Sequence, residues 1–178
     1  MVSFSEMILR KAFRIDEGKV RMLNKIDYIM MPARAMAKML QKIGEDFGKE
    51  FLFELGYKAG TDAANEFFEH FKLAGRAVPL KLNFLITLLQ VLGFGRLDVK
   101  ILNVKTNQAL GYITKHPVIE AAKNLYGRKS MICAHYMGVY SVHADRELSI
   151  KGCKLTETRC VTKGDPYCEW SYNVFSKK

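Results

Sequence analysis

The sequence predicts an α+β fold, an antiparallel sheet with helices packed on it, and two features of its 178 residues carry that expectation. Apolar residues recur at helical spacing from Ala33 to Leu92, and from Leu97 onward they alternate with polar ones. Helices and strands segregated along a chain favour such layering over the alternating βαβ order of a parallel sheet. A chain of this length buries roughly 70% of the surface its unfolded form exposes, enough for one core. One domain over 1–178 is therefore expected: an N-terminal extension and strand over 1–32, a helical part over 33–95, and a sheet with a metal-binding hairpin over 96–178.

Each element has its own signal. Lys19 to Pro32 is rich in β-branched and long apolar residues and ends on a proline, which predicts a strand running into a helix start. Met36, Met39, Leu40 and Ile43 recur at three and four residues, and Phe47, Phe51, Leu55 and Ala59 continue at four. They predict one or two amphipathic helices to about Phe71, with Gly44 and Gly48 as candidate breaks. Gly56 and Gly60 lie one turn apart, where each costs up to ~1 kcal/mol relative to Ala, so close approach of another backbone is the expected compensation. After a loop from Lys72 to Pro79, Leu82, Leu85, Ile86, Leu89 and Leu92 predict a third helix stopping near Gly93 and Gly95. It is apolar nearly all round, and so either buried or covered by a partner.

Leu97, Val99 and Ile101 alternate with Asp98 and Lys100, and a turn at Thr106 and Asn107 leads to a second run from Ala109 to Lys115, an antiparallel hairpin. Pro117 breaks that strand, and Val118 to Tyr126 predict a short helix ending at Gly127. Cys133, Met137 and Tyr140, with Tyr136 and Val139, suit a further helix that tolerates Gly138. Two β-like runs between Leu148 and Val174 surround Gly164, Asp165 and Pro166, a reversal sequence.

Composition narrows the function classes. Hydrophobic residues are 49% and charged residues 26%, near the averages for globular domains. The N-terminal residues lack the apolar core of a secretory signal. The longest apolar region, near Asn83 to Phe94, is interrupted by Thr87, Gln90 and Gly93 and falls short of the roughly 18 residues of a spanning helix. A soluble cytoplasmic protein is expected, where disulfides are rare and four cysteines point to thiol or metal chemistry. The net charge of +10 is spread along the chain, from Arg10 to Lys178. No helix-turn-helix, aromatic-basic RNA motif or Cys/His finger accompanies it, so nucleic acid or an anionic membrane surface as partner has no motif behind it.

The chemistry concentrates near the C-terminus. Glu157 and Cys160 enclose two residues, Cys160 and Cys168 enclose seven, and the predicted turn lies between the two cysteines. A hairpin holding two thiolates, with a carboxylate just upstream, offers three of the four donors of tetrahedral zinc. Cys133, at a predicted helix start that favours a thiolate, is the preferred fourth, and Cys153 is its rival. A cross-hairpin disulfide or ordinary buried thiols are the other readings of the same spacing. Residues three apart point to opposite faces of a regular strand, so Glu157 and Cys160 need a bulge or a strand end to converge.

Cys133, then Gly138-Val139-Tyr140-Ser141 inside a helix, then Glu157-x-x-Cys160, Gly164 and Cys168-Glu169-Trp170, together resemble the 4-vinyl reductase domain family. That family is related to the TRAPP-subunit and haem-NO-binding fold and includes the sensor modules of phenol-responsive regulators. The resemblance is sharpest over the last third of the chain. It implies a ligand-binding fold, and zinc on Cys133, Glu157, Cys160 and Cys168. The Cys133 to Glu157 interval is slightly longer than in the sensors, and a stand-alone domain without an attached ATPase or DNA-binding segment is expected.

By position and resemblance, Tyr112, Tyr136, Met137, Tyr140 and Leu155 are candidates to line a ligand pocket, with Phe84 and Leu88 from the third helix. The implied function is a small-molecule sensor or carrier with a structural zinc, binding an apolar or aromatic ligand. A homodimeric scaffold, as in vesicle-tethering subunits, would use the apolar third helix, and two-fold symmetry is the commonest arrangement for such oligomers. A tetrapyrrole-related reductase is the weakest alternative. Gly93-Phe94-Gly95-Arg96 is too short for a dinucleotide fingerprint, and His116, His135 and His143 stand apart as acid-base candidates, so no enzyme is expected.

Overall fold

The computed structural model describes residues 13–16, 19–22, 26–72 and 75–174. Three short strands, β1 (Phe13–Asp16), β2 (Lys19–Met22) and β3 (Ile26–Tyr28), form an antiparallel meander apart from the main sheet. The single strand expected before Pro32 is thus two, paired with each other. Helix α1 (Ala33–Phe71) follows, broken at Gly48, whose φ of 91° and ψ of 170° favour glycine. Gly44 stays helical.

Helix α2 (Val78–Val91) carries a proline in its first turn and leads into Gly93, at φ 79°. Strands β4 (Arg96–Asn103) and β5 (Gln108–Thr114) make the expected hairpin, with Asn107 at φ 53° in the turn and Asn103 Oδ1 accepting from the Lys105 and Thr106 amides. Helix α3 (Pro117–Tyr126) starts on Pro117 behind an N-cap at His116. Helix α4 (Cys133–Val142) passes into a π turn at His143–Glu147. Strands β6 (Thr156–Arg159) and β7 (Cys168–Tyr172) complete an antiparallel sheet of order β4-β5-β7-β6. The fold class is α+β, as expected. Among the described residues, no helix is long and apolar enough to cross a membrane.

Helix α4 is the hub, buried around most of its circumference between α1 and the sheet. Its contact with α1 is backbone against backbone. A Cβ on Gly138 would lie 2.1 Å from the Phe53 carbonyl oxygen, and one on Gly56 would lie 1.9 Å from that of His135. The inward stripe of α1 is Leu52, Gly56, Gly60 and Ala64, one residue away from the expected Phe51, Leu55 and Ala59. Phe47 and Phe51 are instead 66% and 46% exposed. The break at Gly48 resets the phase of the helix, and only small residues permit so close an approach.

Helix α2 owes its all-round apolarity to burial on two sides. Leu85 and Leu89 are buried in its wall towards the sheet. On its other flank the Phe84 ring lies 4.5 Å from that of Phe71, and Leu88 packs on Phe67.

Candidate functional site

Three cysteines meet where α4 touches the C-terminal hairpin. Cys133 opens α4, Cys160 follows the last residue of β6, and Cys168 opens β7. Cys133 Sγ lies 3.5 Å from Cys160 Sγ and 3.7 Å from Cys168 Sγ, and the three sulfurs are buried within 4.8 Å of one another. All four cysteines are free, so no disulfide closes the hairpin. Tetrahedral zinc with bonds of about 2.3 Å would hold its sulfurs about 3.8 Å apart, close to these separations.

Glu157 stands beside Cys160, outside the three-sulfur cluster. The sheet register shifts between Glu157 and Arg159, and Cys160 lies just beyond the strand, so both devices that let residues three apart converge are present. Glu157 Oε1 is buried with no hydrogen-bond partner, while Oε2 accepts from Lys163 Nζ. A carboxylate with an orphaned oxygen, next to one of three clustered thiols, has the chemistry of a zinc donor.

The electrostatics point the same way. Hydrogen bonds from Cys133 and Cys168 push the Cys160 thiol well down. The Cys133 thiol is held far above the usual range by its bonds to Cys160 and Cys168 and by burial. Burial also raises the Glu157 carboxyl, although Lys163 opposes it. The three thiols share one small volume, where ionising more than one of them needs a cation. The hairpin loop supports the sulfurs: the Val161 amide donates to Cys168 Sγ at 3.4 Å, and Asp165 Oδ2 accepts from the Cys160 amide at 2.8 Å. Gly164, at φ 109°, closes the reversal.

Cys153 lies outside the cluster. It is buried near Asp145, and burial lifts its thiol to about 12. The structure therefore gathers Cys133 rather than Cys153 with the other two.

Elsewhere, α2, α4 and the sheet enclose an apolar cavity of about 60 Å³, with Leu82, Leu85 and Leu89 on one side and Leu97, Val99 and Ala109 on the other, and none of the three cysteines lines it. Tyr140, His143 and Trp170 are its hydrogen-bonding members. Tyr140 donates its hydroxyl to the Phe94 carbonyl at 3.3 Å. His143 Nδ1 is 2.6 Å from Glu147 Oε2 across the π turn, an irregularity that often marks functional positions. Trp170 is 2% exposed, and its Nε1 is buried without a partner. Trp170 and Cys168 are two apart on β7 and so share a face, and Tyr140 and Cys133 are two turns apart on α4.

Of the seven residues proposed as pocket lining, Tyr140 and Leu155 border this cavity. Tyr136 borders a different cleft, towards β3, and Met137 packs against the main core. Phe84 and Leu88 face the end of α1. Tyr112 hydrogen bonds to Asp98 at 2.7 Å, stacks near Tyr167 and lies under Lys100, a different set of neighbours. Trp170 and His143 also border the cavity and were not among the expected lining residues. The two-residue spacing of Cys168 and Trp170 on one strand was the available signal for the first.

No protein-family model matches the sequence, and no curated protein matches it. Among solved structures, the chain is similar to the crystal structure of the phenol-responsive sensory domain of the transcription activator PoxR with phenol, at 16% identity. The TM-score is 0.64, over 94% of this chain and 86% of that one. At that identity the likeness is one of architecture: this chain shares the α+β fold of that sensory domain.

Proposed function

We propose that this chain is a small-molecule sensor or carrier domain of the 4-vinyl reductase type. Its apolar cavity takes a small, mainly aromatic ligand, and Cys133, Glu157, Cys160 and Cys168 hold a structural zinc. The observation that carries the reading is the Trp170 indole N–H, buried and unpartnered beside an otherwise apolar cavity. Such a donor costs stability unless an acceptor satisfies it, and pockets fix ligand orientation with a few groups of this kind. A phenol-class ligand supplies the match: its ring meets the leucines and its oxygen accepts from Trp170. Four protein donors leave zinc no open position for a substrate, so the proposed role of the metal is to fasten α4 to β6 and β7 beside the cavity.

Titration calorimetry with phenol and toluene tests the ligand reading. Phenol is expected to bind saturably, and Trp170→Phe to weaken phenol by about threefold to tenfold, the net value of one hydrogen bond, while leaving toluene within about twofold. Absence of saturable binding by both compounds would reject the cavity as the ligand site.

The cavity is smaller than the engineered voids of about 150 Å³ that admit benzene, so ligand entry requires side chains of α2 to move. Leu85, 2% exposed, is one such wall residue. Leu85→Ala is therefore expected to tighten toluene binding while costing about 2–5 kcal/mol in a urea melt. Weaker toluene binding in a folded variant would place the ligand elsewhere.

A further inference from the structure

A second cleft, independent of the cavity above, lies between the N-terminal meander, the start of α1, the end of α2 and the start of α3. It is much larger, about 490 Å³. Met30, Met31 and Met36 line it together with Phe94, and among the described residues no carboxylate, lysine or arginine does. Methionine walls adapt to varied apolar shapes. Its hydrogen-bonding side chains are Tyr28, His116 and Tyr136.

His116 is the informative one. It is 3% exposed, its ring centroid is 4.1 Å from that of Tyr136 and 5.9 Å from that of Phe94, and its Nε2 is buried without a partner. Nδ1 accepts from the Ile119 amide at the head of α3, so the neutral ring carries its proton on Nε2. Burial lowers its pKa to about 4, which keeps the ring neutral near pH 7. The cleft is therefore bordered by a ring with an unused N–H donor, which also borders the pocket of Lys115 and Glu120, and by two phenols, with no carboxylate, lysine or arginine among its described lining residues.

We propose that this cleft is a second small-molecule site, selective for an uncharged, mainly apolar molecule bearing one oxygen acceptor, such as a ketone, ester or alcohol. An anion would enter a wall without a cation, and a cation would meet no carboxylate. A pure hydrocarbon would leave the His116 donor unsatisfied.

The test uses the full chain labelled with 13C at the methionine methyl groups. The chain has nine methionines, of which Met30, Met31 and Met36 report on the cleft. Titration with 2-octanone should shift those three methyl signals saturably, and octanoate at pH 8 should bind at least about tenfold more weakly. His116→Asn keeps an oxygen to cap α3 and removes the ring, and it should weaken 2-octanone about threefold to tenfold. Three outcomes overturn the proposal: no saturable shift at those methyls, octanoate binding as tightly as the ketone, or shifts that follow protein concentration instead of ketone. The last would assign the cleft to a second copy of the chain. None of these readings depends on the variant folding, nor on whether phenol binds the α2–α4 cavity.

Discussion

Cys160→Ala is expected to strip the protein of zinc and to lower its thermal stability in the same step. Cys160 sits at the focus of the cluster, 1% exposed, with Cys133 Sγ at 3.5 Å and Thr162 Oγ1 at 3.0 Å from its sulfur. Metal held by the folded state alone contributes its binding free energy to folding. Complete loss of zinc that had been held at a hundred times its dissociation constant then removes about 2.7 kcal/mol. For a chain of this size that is a fall of about 5–10 °C in Tm. Elemental analysis of protein prepared without chelator, paired with calorimetry, reads both quantities. Cys153→Ala should keep its zinc, because Cys153 lies with Asp145 and not with the cluster. Wild-type protein free of metal, or a Cys160→Ala protein as stable as wild type, would show that packing alone holds the hairpin.

The position of Cys133 gives that clasp a relation to the cavity. Helix α4 carries Cys133 at its first residue, Tyr136 on the methionine-lined cleft and Tyr140 on the smaller cavity. Strand β7 likewise carries Cys168 and Trp170. Zinc at the cysteines would therefore fix the spacing of the two elements that frame the cavity, much as an outer shell fixes the geometry of an inner one. With zinc in place, a ligand that pushed against α2 would meet a braced opposite wall.

How much of this was legible beforehand follows from the range of each signal. The β4–β5 hairpin and α3 were clear, because alternation, Asn107 and Pro117 act within a few residues. The thiol cluster was legible as a set of spacings, and the bulge that lets Glu157 and Cys160 converge was a stated requirement of those spacings. The inward stripe of α1 was read one residue away. Periodicity ranks Phe51 and Leu55 above Gly56 and Gly60 because it scores apolar bulk, whereas the packing against α4 selects for the absence of a side chain. Pocket membership was the least legible. Whether Tyr112 or Ala109 borders the cavity depends on which sheet face α4 covers, a fact set by elements far apart in the chain.

That packing yields the other large expected effect, in Gly138→Ala and Gly56→Ala. In an isolated helix each substitution would stabilise by up to ~1 kcal/mol. Here the new Cβ at position 138 would meet the Phe53 oxygen at 2.1 Å and the Tyr57 nitrogen at 2.7 Å, and the one at position 56 would meet the His135 oxygen at 1.9 Å. These obstacles are backbone atoms and cannot rotate away, so α1 and α4 must separate by about 1 Å, and overpacking of this kind costs about 1–3 kcal/mol or more. A net loss of at least about 2 kcal/mol is expected for each variant in urea denaturation. Gly44→Ala is the internal comparison: its Cβ would meet side-chain atoms only, Leu52 Cδ1 at 2.6 Å and Met131 Cβ at 3.2 Å, and a smaller loss than at the two backbone contacts is expected. Because α4 bears Cys133 and Tyr140, separating it from α1 should also reduce zinc content in Gly138→Ala and spare it in Gly44→Ala. If all three variants prove equally stable, α1 and α4 do not meet backbone to backbone, and the frame proposed for both the cavity and the thiol cluster is wrong.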